Sequence, residues 1–229
     1  MTEPIELEQL GEPLLLLPEK AIYRPRLRTL FVADTHFGKA ATFRQSGIPI
    51  PQGTTTTGLA RLSAVVERTK AERLVILGDF FHAAAGRAPA TLAAIGEWFR
   101  SNRQLTVVLV RGNHDRHAGD PPNDWRLDCR DQLVEPPFVY LHEPAEHPAG
   151  FALAGHIHPG IALFEGFGPP VRSACFWFSK HWAVLPAFGS FTGSVRIDPA
   201  ADDRVFAVGE NRVIEVPHRP SPRLKRDAR

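Results

Sequence analysis

The chain has 229 residues, a formal net charge of +2, 43% hydrophobic and 23% charged residues, a balance that supports a sizeable core and excludes a wholly disordered, collagen-like or coiled-coil chain. Its 18 glycines and 21 prolines are too many for an all-helical bundle and point to short elements joined by many turns. Even the longest aliphatic runs, Leu14 to Leu17 among them, are far short of the roughly 20 residues that span a bilayer, and the acidic start Met1 to Glu8 lacks a signal-peptide pattern, so a cytoplasmic protein with no membrane partner is expected.

In chain order, three apolar runs end in polar, chemically versatile residues. Thr29 to Ala33 ends at Asp34, Arg73 to Leu77 at Gly78 and Asp79, and Leu105 to Val110 at Gly112, Asn113 and His114. Each reads as a buried strand delivering side chains to one edge of a sheet. Between them, Thr57 to Lys70 carries Leu59, Leu62, Val65 and Val66 at helical spacing, and Thr91 to Asn102 carries Leu92, Ile95, Trp98 and Phe99 likewise. The run Thr54 to Thr57 is placed to cap the first of these helices. Strand, helix, strand, helix, strand implies parallel pairing.

The later half is different. Phe138 to His142, Phe151 to Ala154, Ile161 to Phe164, Cys175 to Ser179, Trp182 to Leu185, Val205 to Val208 and Arg212 to Val216 form short strand-like runs without intervening helices, which implies a second, mostly antiparallel sheet. The expected fold is an α/β sandwich of two mixed sheets flanked by helices, with residues 1–217 as a single domain. Residues 218–229 form a basic tail, with five Lys/Arg against one Asp and interrupted by proline, expected to be disordered. Without that tail the body is mildly acidic. The two cysteines, Cys129 and Cys175, are expected to be reduced thiols and are too few for a thiolate zinc site.

The chemistry collects at the strand ends, in the order Asp34-Thr35-His36, Gly78-Asp79-Phe80-Phe81-His82, Gly112-Asn113-His114-Asp115, His142, and Gly155-His156-Ile157-His158. Six of the ten histidines fall here, and in open α/β sheets ligand sites lie beyond the carboxyl ends of the strands. Carboxylate, imidazole and amide oxygen without thiolate is a donor set for two adjacent divalent cations, since one Asp, naturally Asp79, can bridge two metals while His and Asn complete each shell. Manganese, iron and zinc all suit such donors. His142 is preferred over His147 because it ends the apolar run Phe138 to Leu141.

The five-part pattern D-x-H, G-D-x-x-H, G-N-H-D, a lone H and G-H-x-H resembles the calcineurin-like metallophosphoesterase superfamily. The segments ADTHFGK (33–39), GNHDR (112–116), LHEP (141–144) and GHIHP (155–159) look most like its ligase-associated DNA damage response endonucleases, the PdeM family. That resemblance implies a metallophosphoesterase-type fold and a dimetal site, with manganese the first choice of ion and iron or zinc as alternatives. Asp34, His36, Asp79 and His158 would hold one metal, and Asp79, Asn113, His142 and His156 the other. His82, where many relatives have Asp, would support the ligands and lean the chemistry toward nucleic-acid phosphodiesters.

By the same resemblance, His114 would stabilise or protonate the leaving group with Asp115 orienting it, while a hydroxide bridging the metals attacks phosphorus. Lys39, Arg44 and Arg116 can supply further phosphate contacts. The short stretch between Asp115 and His142 leaves little chain for a lid, and Trp125, Phe37 and Phe81 are candidates for stacking on bases. The function expected is therefore a dimetal phosphodiesterase acting on nucleic acid or nucleotides, in a DNA-repair setting that the resemblance extends to a DNA ligase and a helicase. Its alternatives are a small-metabolite phosphatase or pyrophosphatase of the same superfamily and a catalytically silent scaffold. Oligomeric state is left open, a homo-oligomer included.

Overall fold

The structure, a computed structural model, describes residues 2–45, 47–48, 53–163, 169–190 and 192–217. The basic tail and Phe164 at the end of one expected strand lie outside them. The first sheet has the order β1 (Ile5–Gln9), β2 (Glu12–Leu17), β3 (Ala21–Arg24), β4 (Thr29–Ala33), β5 (Arg73–Leu77), β6 (Thr106–Val110), β7 (Asp128–Arg130). β1 to β4 form an antiparallel meander and β4 to β7 are parallel. Between β4 and β5 run α1 (Lys39–Gln45) and α2 (Thr54–Thr69). Between β5 and β6 runs α3 (Pro89–Ser101), and α4 (Asn113–Ala118) follows β6 directly.

The second sheet comprises β8 (Leu133–Glu135), β9 (Phe138–Tyr140), β10 (Phe151–Ala154), β11 (Pro159–Leu163), β12 (Val171–Phe178), β13 (Trp182–Val184), β14 (Val195–Arg196), β15 (Arg204–Val208) and β16 (Val213–Glu215). Its path is β14-β11-β12-β13-β10-β9-β8, with β15 on β12 and β16 on β15. The pairs β9–β10, β10–β13 and β11–β14 are parallel and the others antiparallel.

After a polar first residue, Thr29, Arg73 or Thr106, the three central strands are apolar because both their faces are covered. Leu30, Val32, Leu74, Ile76, Val107 and Leu109 meet Leu59, Leu62 and Val65 of α2 and Ile95, Trp98 and Phe99 of α3. Their alternating neighbours Phe31, Val75, Leu77, Val108 and Val110 face Phe138, Tyr140, Phe176 and Phe206 of the second sheet. The architecture is thus two mixed sheets with helices outside.

Three details add to or differ from the expected elements. The threonine run forms the first turn of α2, with Gly53 as its cap and Thr56 Oγ1 donating to the Gly53 carbonyl at 2.8 Å. The meander β1–β3 precedes the first expected strand. The stretch between Asp115 and His142 is spent on β7, β8 and β9. Cys129 and Cys175 are free thiols on different sheets, and among the described residues no helix is long and apolar enough to cross a membrane.

Candidate metal centre

The carboxyl ends of β4, β5 and β6 converge with the segments after β9 and β10. Asp34, His36, Asp79 and His142 are buried there, His158 is partly buried, and His156 is exposed. The backbone is bent hard to achieve this: Asp34, His36, Asp79, His156 and His158 all have left-handed φ, between 45° and 71°. Such conformations cost roughly 1 kcal/mol or more apiece in residues with a Cβ and concentrate where side chains must be aimed.

Two glycines of the motifs make room for the turn. Gly78 has φ +80°, and a Cβ there would lie 1.9 Å from His142 Nδ1; a Cβ on Gly112 would lie 2.2 Å from Asp79 Oδ1.

The acceptor atoms form two clusters. In one, His36 Nε2 and His158 Nε2 are 3.2 Å apart, with Asp34 Oδ1 at 3.6 Å from His158 and Asp79 Oδ2 at 3.8 Å from His36. In the other, Asn113 Oδ1 lies 2.9 Å from His142 Nε2 and 3.1 Å from His156 Nδ1, with Asp79 Oδ1 at 3.5 Å from His142. Asp79 therefore offers one oxygen to each cluster. The triads Asp34-His36-His158 and Asp34-Asp79-His142 each bring ligand atoms within 4.8 Å of one another. In the second triad His142 Nδ1 donates to the Leu77 carbonyl at 3.2 Å, which turns Nε2 toward the cluster.

Protonation follows from burial. Desolvation, then the charges of His158 and Lys39, hold His36 down at about 2, so it is a neutral imidazole, the form that can accept a metal. Burial pushes Asp79 above the usual carboxylate range, and Asp34 adds to it while His142 opposes. Two buried carboxylates facing imidazole nitrogens make a donor set that fits divalent metal.

His114 sits at the edge of this array. Its Nδ1 donates to the His82 carbonyl at 2.5 Å, its ring stacks on that of His82 at 5.1 Å, and Nε2 faces Asp79 Oδ2 at 3.9 Å. Asp115, expected to orient His114, does something else. Its oxygens accept the Gly112 amide at 3.0 Å and the Phe81 amide at 3.2 Å, so it ties the start of α4 to the turn after β5. The group bonded to the His114 ring is the His82 carbonyl, which sequence cannot flag because every residue has one. The His82 ring packs edge-on to His36 at 5.3 Å, and burial lowers its pKa to about 4.

Of the expected phosphate contacts, Lys39 is half-buried and close enough for its charge to depress both His36 and His82. Arg44 is exposed near the end of α1, and Arg116 is exposed with Nη2 at 3.9 Å from Asp131. His147 lies outside the clusters, its Nδ1 accepting the Ala149 amide. Stacking on bases by Trp125, Phe37 and Phe81 is ruled out by burial. Trp125 stacks on Phe99 at 5.4 Å, Phe37 meets Phe80 at 5.2 Å, and Phe81 is fully buried.

A family model described as calcineurin-like phosphoesterase matches residues 27–222. Among solved structures, the chain is similar to the nuclease MPE of Pseudomonas putida, with 42% identity, a TM-score of 0.83, and coverage of 93% of this chain and 100% of that one. It also resembles Yfce, a phosphoesterase from E. coli, at 16% identity and a TM-score of 0.42, over 82% of this chain and 97% of that one. No curated protein matches the chain.

Proposed function

This chain belongs to the calcineurin-like phosphoesterase family, and we propose that it hydrolyses phosphodiester bonds of nucleic acid or nucleotides using two divalent ions, manganese first among them. Asp34, His36, Asp79 and His158 would hold one ion and Asp79, Asn113, His142 and His156 the other. The observation that carries this reading is the pair of acceptor clusters sharing Asp79, one carboxylate oxygen turned to each. Two ions bound there would supply Lewis-acid stabilisation of the phosphoryl oxygens and acidify a water.

The protein's own groups do the rest. Donation from Nδ1 to the His82 carbonyl fixes the His114 ring so that Nε2 is presented beside Asp79, where it can hand a proton to a departing ester oxygen. The His114 amide donates to Asp79 Oδ1 at 3.0 Å and restrains the shared carboxylate. Lys39, over the His36 side, adds positive charge for a phosphate.

The nuclease named among the similar structures supports a diester over a monoester. The resemblance of motifs alone supports a cytoplasmic DNA-repair setting with a ligase and a helicase. The test is metal-reconstituted protein assayed in parallel on bis-p-nitrophenyl phosphate, p-nitrophenyl phosphate, single- and double-stranded DNA, a dinucleotide polyphosphate and a nucleoside-diphosphate sugar. Turnover of the diester and DNA above the others is expected; preference for the monoester or the last two would establish a small-metabolite phosphatase or pyrophosphatase instead.

A further inference from the structure

β11 leaves the metal centre at His158 and runs outward as the middle of a ribbon, with β14 on one flank and β12 on the other. The Val195 amide donates to the His158 carbonyl at 2.8 Å and the Ile197 amide to the Gly160 carbonyl at 3.1 Å. β14 is thus bonded to the segment that carries two of the clustered histidines. Register then fixes what shares a face. Gly160 pairs with Arg196 and Ala162 with Arg172, and both cross-strand partners and residues two apart on a strand present side chains to the same side.

Arg196 and Arg172 therefore flank β11 at Gly160 and Ala162, with the Ser194 side chain lying against Gly160, and both line one cavity of about 180 Å³. Both are exposed. Arg172 donates to the Ser194 carbonyl at 3.3 Å, and among the described residues Arg196 has no ion-pair partner, Asp198 two positions on included. Strand spacing puts the Cα of Arg196 about 8 Å and that of Arg172 about 14 Å from that of His158.

We infer that Arg196 and Arg172 form a path for the phosphodiester backbone of a polynucleotide flanking the cleaved bond, so that a strand leaving the metal centre runs along β11 between them. The inference rests on the phosphodiesterase reading above and names the part of a polymeric substrate that a small diester lacks. Guanidinium forks match phosphate oxygens in geometry and charge. On a body without net positive charge, binding a polyanion requires such local placement of cations.

The test uses the full chain, metal-free, binding a fluorescent single-stranded oligonucleotide across a salt series. In R172A/R196A the slope of log affinity against log salt should flatten by about 1.4, roughly 0.7 for each single-strand contact, and affinity at 0.1 M salt should fall ~25-fold. R172K/R196K should keep most of the slope. With metal restored, the ratio of oligonucleotide cleavage to bis-p-nitrophenyl phosphate hydrolysis should drop in the alanine variant. A double variant with the parent slope and affinity overturns the path. So does a parent protein that hydrolyses the small diester yet neither binds nor cleaves the oligonucleotide. Should the slope differ as expected while no diester is hydrolysed, the path stands and the phosphodiesterase reading falls.

Discussion

At the scale of the residue, the centre turns on Asp79, whose two oxygens lie 3.5 Å and 3.8 Å from histidines of different clusters. Asp79→Asn keeps the shape and removes the charge that both ions would share, so bound manganese measured by elemental analysis should fall at both sites together; full two-metal occupancy with normal turnover would refute the shared role. His114 lies outside both clusters, and His114→Ala should keep the metal while losing turnover by roughly 100-fold, as for an acid–base group. The loss should be smaller for a nitrophenolate leaving group, which needs little protonation. Equal losses on good and poor leaving groups would argue against proton donation.

The depressed histidines also give the metal-free protein a pH dependence. His82, lowered from 6.5 to about 4 by burial, stays neutral in the folded state while the unfolded chain takes up a proton, so stability must fall as pH drops through that window. His36 acts in the same direction and the raised carboxyls of Asp79 and Asp115 in the opposite one. Comparison with His82→Gln isolates one contribution: the variant's urea midpoint should decline less between pH 6.5 and 4, and parallel profiles would contradict the shift.

At the scale of the element, the strand-to-turn junctions position the candidate metal ligands. Gly78→Ala places a Cβ on His142 at a residue with φ +80°, whereas Gly11→Ala in the β1–β2 turn, φ +75°, meets nothing within 4 Å. Both variants should pay the backbone cost of roughly 1 kcal/mol. Only Gly78→Ala should also lose bound metal, and equal metal contents would show that the close approach to His142 is not limiting. β4 and β5 were legible to the residue, because a strand covered on both faces is a nearly continuous apolar run. The meander β1–β3 lies outside the expected strands although Ile5 and Leu7 alternate with Glu6 and Glu8, because its strands end in no versatile residue to draw attention. β14 spans two residues and is a strand only through its pairing with β11, a partnership no local pattern encodes. The same limit applies at the centre: the motifs named the clustered side chains, while the groups that aim them, the His82 and Leu77 carbonyls, leave no trace in residue type.

At the scale of the whole molecule, the two sheets share one interior. Phe31, Val75 and Val108 of the first sheet pack with Phe138, Tyr140 and Phe176 of the second, and the Phe31 and Tyr140 rings lie 4.7 Å apart. Arg24 Nη1 also donates to the Tyr140 hydroxyl at 3.2 Å, and Arg73 pairs with Glu135 at 2.7 Å across the same boundary. Separating the sheets would expose a face of each that has no other cover, so we propose that residues 1–217 unfold as a single domain. The tryptophans allow a direct test. Trp98 and Trp125 lie in the helix layer over the first sheet, and Trp177 and Trp182 form an edge-on pair beside the second. In Trp177→Phe/Trp182→Phe, fluorescence reports the first layer; in Trp98→Phe/Trp125→Phe, it reports the second. For each variant the fluorescence midpoint in urea should coincide with its own far-ultraviolet circular dichroism midpoint. Adding Phe31→Ala, a cavity worth roughly 3–5 kcal/mol, should lower both reporters' midpoints together. A Phe31→Ala change that moved the first-layer signal and left the second in place would mean that the sheets are separate folding units, despite the interior they share.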